Sequence, residues 1–250
     1  MEVLREASEG ASQYLYAYLA IHAIARRSSR VWNHVEDNAT FWWTVTSALQ
    51  TSTMLALGRI FDPDPATHNV SRLLRLAQQS RSMFSRSALA ARRRGIGPEP
   101  PWLADFVRDV YEPTPDDFRA LRARVARLRV TYERSYRQLR HKVFAHAIAD
   151  GQEVEQIFEQ TNVEELKRLI SSLLAIHEAL LGLFLNGRKP VLRRLRYSAK
   201  APRGAEGWRP GTLPPHERIV MQAERVLKQA SGRASNVRQS RVTTSRARRT

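Results

Sequence analysis

The sequence predicts an all-α protein, an antiparallel helical bundle of four to five helices followed by a basic, largely disordered C-terminal tail. Three observations carry that reading. Apolar residues recur at three- and four-residue steps, as in Phe118, Leu121, Val125, Leu128, Tyr132, Tyr136, Leu139 and Val143, which is the period of a helix with one buried face. No alternating run of useful length marks a strand. The net charge of +17 sits at one end: residues 188–250 hold 17 Lys/Arg against three acids, leaving only +3 for the first 187 residues.

The chain accordingly divides into a bundle over residues 1–187 and a basic tail over 188–250. A first helix is predicted from about Val3 to Arg27, on the steps Tyr14, Tyr18, Ile21 and Ala25. A second spans Asp37 to Phe61 and stops at Asp62-Pro63-Asp64-Pro65, which cannot continue a helix. A short helix follows from Ser71 to about Gln79. Residues 80–101, rich in Ser, Arg, Gly and Pro, read as a mobile insertion. Another short helix is expected near Trp102 to Val110.

The longest apolar stripe begins at Thr114, an N-cap residue type, with Pro115 at the first helical position. Asp116 and Asp117 fall in the first turn, where the helix dipole favours acids. From there the stripe predicts one helix of about seven turns. The last core helix is predicted from Thr161, with Glu164 at capping-box spacing, to a stop at Asn186-Gly187. In the tail, residues 198–215 read as a Pro/Gly linker and 215–230 as a possible short helix, on Ile219, Ala223, Val226 and Ala230.

Composition narrows the chemistry. The absence of cysteine excludes a disulfide framework, a thiolate metal site and a cysteine nucleophile. The start, MEVLREASEG, is acidic where a secretory signal is basic, and predicts a cytoplasmic protein. The uncharged run Ala39–Gly58 is long enough to span a bilayer, but its scattered Thr, Ser and Gln predict a buried helix and no membrane association. The tail attracts polyanions by counterion release, nucleic acid first among them. A solvated tail without a dedicated partner is the other reading. Phe41, Trp42 and Trp43 read as core or dimer interface rather than a base-stacking platform. The scattered histidines His22, His34, His68 and His177 give no metal-ligand spacing, and neither metal nor cofactor is expected.

One cluster combines residue types that suit catalysis: RHKVFAH, Arg140 to His146. Here Arg140, His141 and His146 interrupt the apolar stripe. On a continuing α-helix Arg140 and His146 lie ~9 Å apart along the axis and ~120° apart around it, so they can flank one phosphate. RNA phosphodiester cleavage needs a group titrating near neutrality to move protons and a fixed cation to stabilise the phosphorane-like transition state. The alternative is a histidine at a helix C-terminus serving only the dipole, beside a surface arginine.

This cluster resembles the signature of HEPN domains, helical bundles found in prokaryotic toxins, abortive-infection proteins and related RNases. That signature is Arg, four to six residues, then His, often with a polar residue directly after the Arg. The upstream Leu57-Gly58-Arg59-Ile60-Phe61-Asp62, followed by Asn69-Val70-Ser71-Arg72-Leu73-Leu74, is similar to the Arg-hydrophobic-Phe-Asp element and Ser-x-Leu helix of the abortive-infection, AbiU-like branch. The resemblance spans roughly residues 10–187. It implies a homodimeric, metal-independent endoribonuclease with a toxin or phage-defence role, leaving a cyclic phosphate and restrained by an antitoxin or regulatory partner. Carried over, Arg140 stabilises the transition state and His146 is the general acid/base. His141 stands where many relatives have Asn or Asp, and its supporting role stays open. Arg59 and Asp62 read as structural or site-adjacent, with Asp62 capping locally and Arg59 its candidate partner. A non-catalytic HEPN-like module that binds nucleic acid or protein is the alternative, as is a DNA-binding protein whose tail is the active part.

Overall fold

The computed structural model describes residues 1–96, 98–145, 151–193, 198 and 213–247, and every regular element among them is helical. In chain order these are α1 (Glu2–Ala25), α2 (Ser29–Asp37), α3 (Ala39–Ile60), α4 (Val70–Gln79), a 3₁₀ turn (Arg81–Phe84), α5 (Arg86–Arg94) and α6 (Leu103–Arg108). Then come α7 (Pro115–Ser135), a π-helical turn (Leu139–Ala145), α8 (Gly151–Glu159), α9 (Val163–Asn186) and α10 (Pro215–Ala247). Two compact units emerge, one from residues 1–10 and 54–196, the other from 11–53 and 197–250. This grouping differs from the division at residue 187 that charge and composition point to.

In the first unit α9 packs against α7 and α5. Leu169, Ile170, Leu173, Ile176 and Leu180 are buried on α9, and Phe118, Leu121, Val125 and Leu128 on α7. Each fully buried side chain of this size contributes about 1.5–3 kcal/mol. Among the described residues α9 alone is long and apolar enough to cross a membrane. Its buried stripe is what a core helix also shows.

The helix ends follow their local chemistry. The Asp117 carboxylate accepts the Thr114 amide at 2.8 Å, the Thr114 hydroxyl at 2.9 Å and the Tyr111 hydroxyl at 2.8 Å. Burial alone raises this carboxyl, but these bonds outweigh it and hold its pKa below the ordinary value. At the start of α9 the cap is Asn162, not Thr161: its side-chain oxygen accepts the Glu164 and Glu165 amides at 2.8 and 3.2 Å. Gly187 ends α9 at φ +56°, and a Cβ there would collide with the Val110 side chain. Glycine is required on both counts.

Three expectations need correction. Residues 81–94 of the supposed mobile insertion are helical and packed, because Phe84 and Leu89 are buried and arginines tie the segment to the end of α9. Arg92 donates to the Phe184 carbonyl at 2.8 Å and Arg93 to that of Leu185 at 2.7 Å, satisfying acceptors that the helix terminus leaves open. The stripe of residues 118–143 is not one α-helix: α7 stops at Ser135, and a π turn carries the rest. Helices α2 and α8 fall where no helix is predicted; α2 is capped by Ser28, whose hydroxyl accepts the Val31 amide.

In the second unit, Tyr16, Ala20, Ile21, Ile24 and Val31 form one core with Val220 and Leu227 of α10. The helix expected at 215–230 therefore packs, and it continues to Ala247. Of the 198–215 linker, only Ser198 and residues 213–215 lie among the described residues. Trp42 packs against the core, whereas Phe41 and Trp43 are 61% and 71% exposed.

His216, at the start of α10, is buried with its ring 5.5 Å from that of Tyr16. Burial pushes its pKa down to about 4, because the charged imidazolium loses its hydration there. The folded state thus binds fewer protons than the unfolded one. Stability is intact above the unfolded value of about 6.5 and falls as pH drops toward 4, by at most about 3 kcal/mol. In urea titrations monitored by circular dichroism, His216→Leu is expected to flatten stability between pH 7 and 4 relative to wild type. An unchanged pH profile contradicts this assignment.

Candidate active site

The two sequence motifs meet in the first unit. Arg140 is the second residue of the π turn, its amide bonded to the Tyr136 carbonyl at 3.0 Å. Its side chain lies across Gly58 on α3. A Cβ at Gly58 would sit 2.5 Å from Arg140 Nε, 2.7 Å from Cδ and 2.8 Å from Cζ. Any residue but glycine would occupy the space the guanidinium now fills. Arg140 Nε is buried with no hydrogen-bond partner, and no carboxylate pairs with Arg140, among the described residues. The Nε–H is thus a donor that the fold leaves open, and an unmet buried donor carries a desolvation cost.

Tyr132 forms the next wall. Its ring stacks on Phe61 at 5.1 Å between centroids. Burial raises its pKa, and the positive charge of Arg140 opposes the rise. The hydroxyl therefore feels the guanidinium, although no hydrogen bond of ordinary geometry joins them. Tyr136, one turn on, is buried and donates to the Asn162 carbonyl at 2.8 Å, with its pKa pushed up to about 12 by burial. The aromatic pair and its backbone anchor hold the helix as it passes into the π turn.

That turn changes the expected geometry. With i→i+5 bonds, a π turn carries more residues per turn than an α-helix, and such turns are frequent at functional sites. The spacing calculated for a continuing α-helix does not apply here. Arg140 is half-buried and His141 exposed, while His146 lies outside the described residues. Lys142 pairs with Glu153 of α8.

Arg59 and Asp62 occupy the end of α3 without pairing. Arg59 is exposed, and no ion pair joins the two among the described residues. Asp62 caps locally, its Oδ1 accepting the Asp64 amide at 2.9 Å, as an Asx turn does. The partner at this helix end is Arg129, which donates to the Phe61 carbonyl at 3.2 Å and the Asp62 carbonyl at 3.1 Å. At the site, the sequence marks Tyr132 only as part of the apolar stripe and Gly58 only as part of the upstream motif, and it gives Arg129 no role. A glycine inside a helix costs about 1 kcal/mol relative to alanine, so its presence at Gly58 signals close packing.

The HEPN AbiU2 family model matches residues 2–201, and it covers both motifs. The chain belongs to the HEPN AbiU2 family. No curated protein and no solved structure matches it. Membership places it with HEPN proteins of abortive-infection type. In this HEPN chain Arg140 thus lies against Gly58 of the α3 segment 57–62.

Gly58→Ala isolates the contact. The atoms a Cβ would meet belong to a flexible side chain, so the guanidinium moves and the backbone stays. Alanine also gains helix propensity of about 0.5–1 kcal/mol. We expect thermal unfolding of Gly58→Ala at or above the wild-type temperature, together with activity as low as that of Arg140→Ala. Wild-type activity in Gly58→Ala would show that the seat is dispensable.

Proposed function

We propose that this HEPN protein is a metal-independent endoribonuclease that works as a homodimer in a toxin or phage-defence role. The observation that carries the reading is the half-buried Arg140 side chain lying on Gly58, its Nε buried and no carboxylate pairing with it among the described residues. A fixed cation with free donors is what a phosphodiester needs as charge builds on its non-bridging oxygens. In the proposed reaction the 2′-oxygen attacks phosphorus and loses its proton to a base. The bond from phosphorus to the 5′-oxygen breaks, and that oxygen takes a proton from an acid. The products are a 2′,3′-cyclic phosphate and a 5′-hydroxyl. His146 serves as the acid/base, since an imidazole titrates near neutrality.

Two chains supply two such histidines to a shared cleft, so one gives and one takes. Exposed Phe41 and Trp43 offer large apolar side chains of the kind a second copy covers. His141, exposed next to Arg140 in the chain, has a supporting role in this reading, as a contact to RNA beyond the scissile phosphate. The cytoplasm is the proposed location, and an antitoxin or regulatory protein the proposed restraint. The basic end of α10 and the segment before it add affinity for nucleic acid without sequence preference.

The test is cleavage of a fluorescent RNA in EDTA by the full chain, with light scattering to give its mass. We expect a mass of twice 28.6 kDa and product ending in a cyclic phosphate. His146→Ala is expected to lose about 10²–10⁴-fold in rate, and Arg140→Ala a comparable factor, with helicity unchanged in both. Intact RNA, bound equally by wild type and both variants, would instead identify a non-catalytic nucleic-acid-binding module.

A further inference from the structure

One groove in the first unit shares only Arg129 with the site as described. It lies between α4 and α7, measures ≈ 580 Å³, and is lined by Arg75, Arg119, Arg122 and Arg129 above Leu74 and Val125. No carboxylate lines it. We propose that this groove is a binding track for the ribose–phosphate backbone of single-stranded RNA, leading away from Arg140. The proposal rests on the endoribonuclease reading and extends it to how substrate is held.

Four observations support the assignment. First, the arginines are unequally committed. Arg119 pairs with Asp116 and Arg122 donates to Gln78 at 2.9 Å. Arg75 is exposed and has no ion-pair partner among the described residues. These side chains can turn to a polyanion at little cost, because exposed ion pairs contribute only about 0–1 kcal/mol.

Second, the row has length. Ten residues separate Arg119 from Arg129, about 15 Å of helix. A stacked strand presents ~four phosphates over that distance. Third, the floor is apolar: Leu74 and Val125 are buried and the remaining lining includes Ala123 and Ala126. Cationic rims over an apolar floor suit a strand with charged phosphates and uncharged sugars and bases, better than they suit a free inorganic anion.

Fourth, one lining residue, Arg129, links the groove to the end of α3 beside the candidate active site. Arg129 holds the carbonyls of Phe61 and Asp62 at the end of that helix. Arg140 lies on Gly58, three residues before Phe61. A strand lying in the groove thus arrives at the helix end that seats the proposed catalytic cation.

The test uses the full chain with Arg75→Gln, Arg119→Gln and Arg122→Gln combined, beside Arg75→Gln alone in case the triple variant is destabilised. A charge-matched control carries Arg26→Gln, Arg27→Gln and Arg94→Gln, all exposed positions outside the groove. Single-stranded RNA binding is measured against salt in an Arg140→Ala background, and KM and kcat in the otherwise wild-type chain. We expect the triple change to flatten the salt slope by about 2, at roughly 0.7 per phosphate contact. KM should rise at least tenfold with kcat at saturating RNA preserved, while the control changes neither.

Equal losses in groove and control variants would reduce the groove to net charge and overturn the proposal. So would an unchanged slope and KM, whether or not the wild-type chain cleaves RNA. A slope lost in the groove variant alone, with no cleavage by wild type, would keep the track and reject the nuclease. Displacement of RNA from the control but not from the groove variant by polyglutamate, with RNA affinity unchanged between them, would assign the groove to an acidic protein and overturn the RNA assignment.

Discussion

A missing methyl group holds this site together. The side chain of Arg140 fills the space above Gly58, and that contact fastens the segment after α7 to the end of α3. The arginine is held by shape, and no carboxylate pairs with it among the described residues; in the proposed reaction that leaves its charge to the phosphate. A paired arginine would be stabler and less useful, since an anion would have to displace the pairing group first.

The surroundings reinforce this seat. Tyr132 and Phe61 stack below it, Arg129 secures the last carbonyls of α3, and Tyr136 anchors the helix to the residue that caps α9. The π turn then follows at the point where α7 would otherwise have carried Arg140 on a regular stripe. Irregular backbone at a functional residue is a common compromise between packing and chemistry. Arginines of α4 and α7 line a groove between those two helices, and residues 188–250 hold 17 of the 41 Lys and Arg residues of the chain.

Much of this was legible in the amino-acid order, and the reasons are local. Thr114-Pro115 and Asp117 announce the start of α7 because caps act within one turn. Gly187 marks the end of α9 because only glycine tolerates its backbone and its neighbour Val110. The apolar steps of α1, α3, α7 and α9 report one buried face each. Residues 81–94 were illegible because their order depends on Arg92 and Arg93 reaching carbonyls of a helix distant in sequence. The π turn was equally hidden, because Leu139 and Val143 satisfy an α-helical stripe. At the site, Arg140 was visible as a residue type in a pattern, whereas Gly58 becomes meaningful only once α3 and Arg140 are side by side. Arg59, the more conspicuous neighbour, turns outward.

The seat of Arg140 is most directly observed through its own Nε–H group by nitrogen-15 NMR, with the resonance assigned by its loss in Arg140→Lys. Burial of Nε predicts a proton that exchanges with water far more slowly than those of exposed arginines, and that shifts when a 2′-deoxy oligonucleotide is added. A rapidly exchanging Nε–H, indifferent both to the oligonucleotide and to Gly58→Ala, would contradict the account.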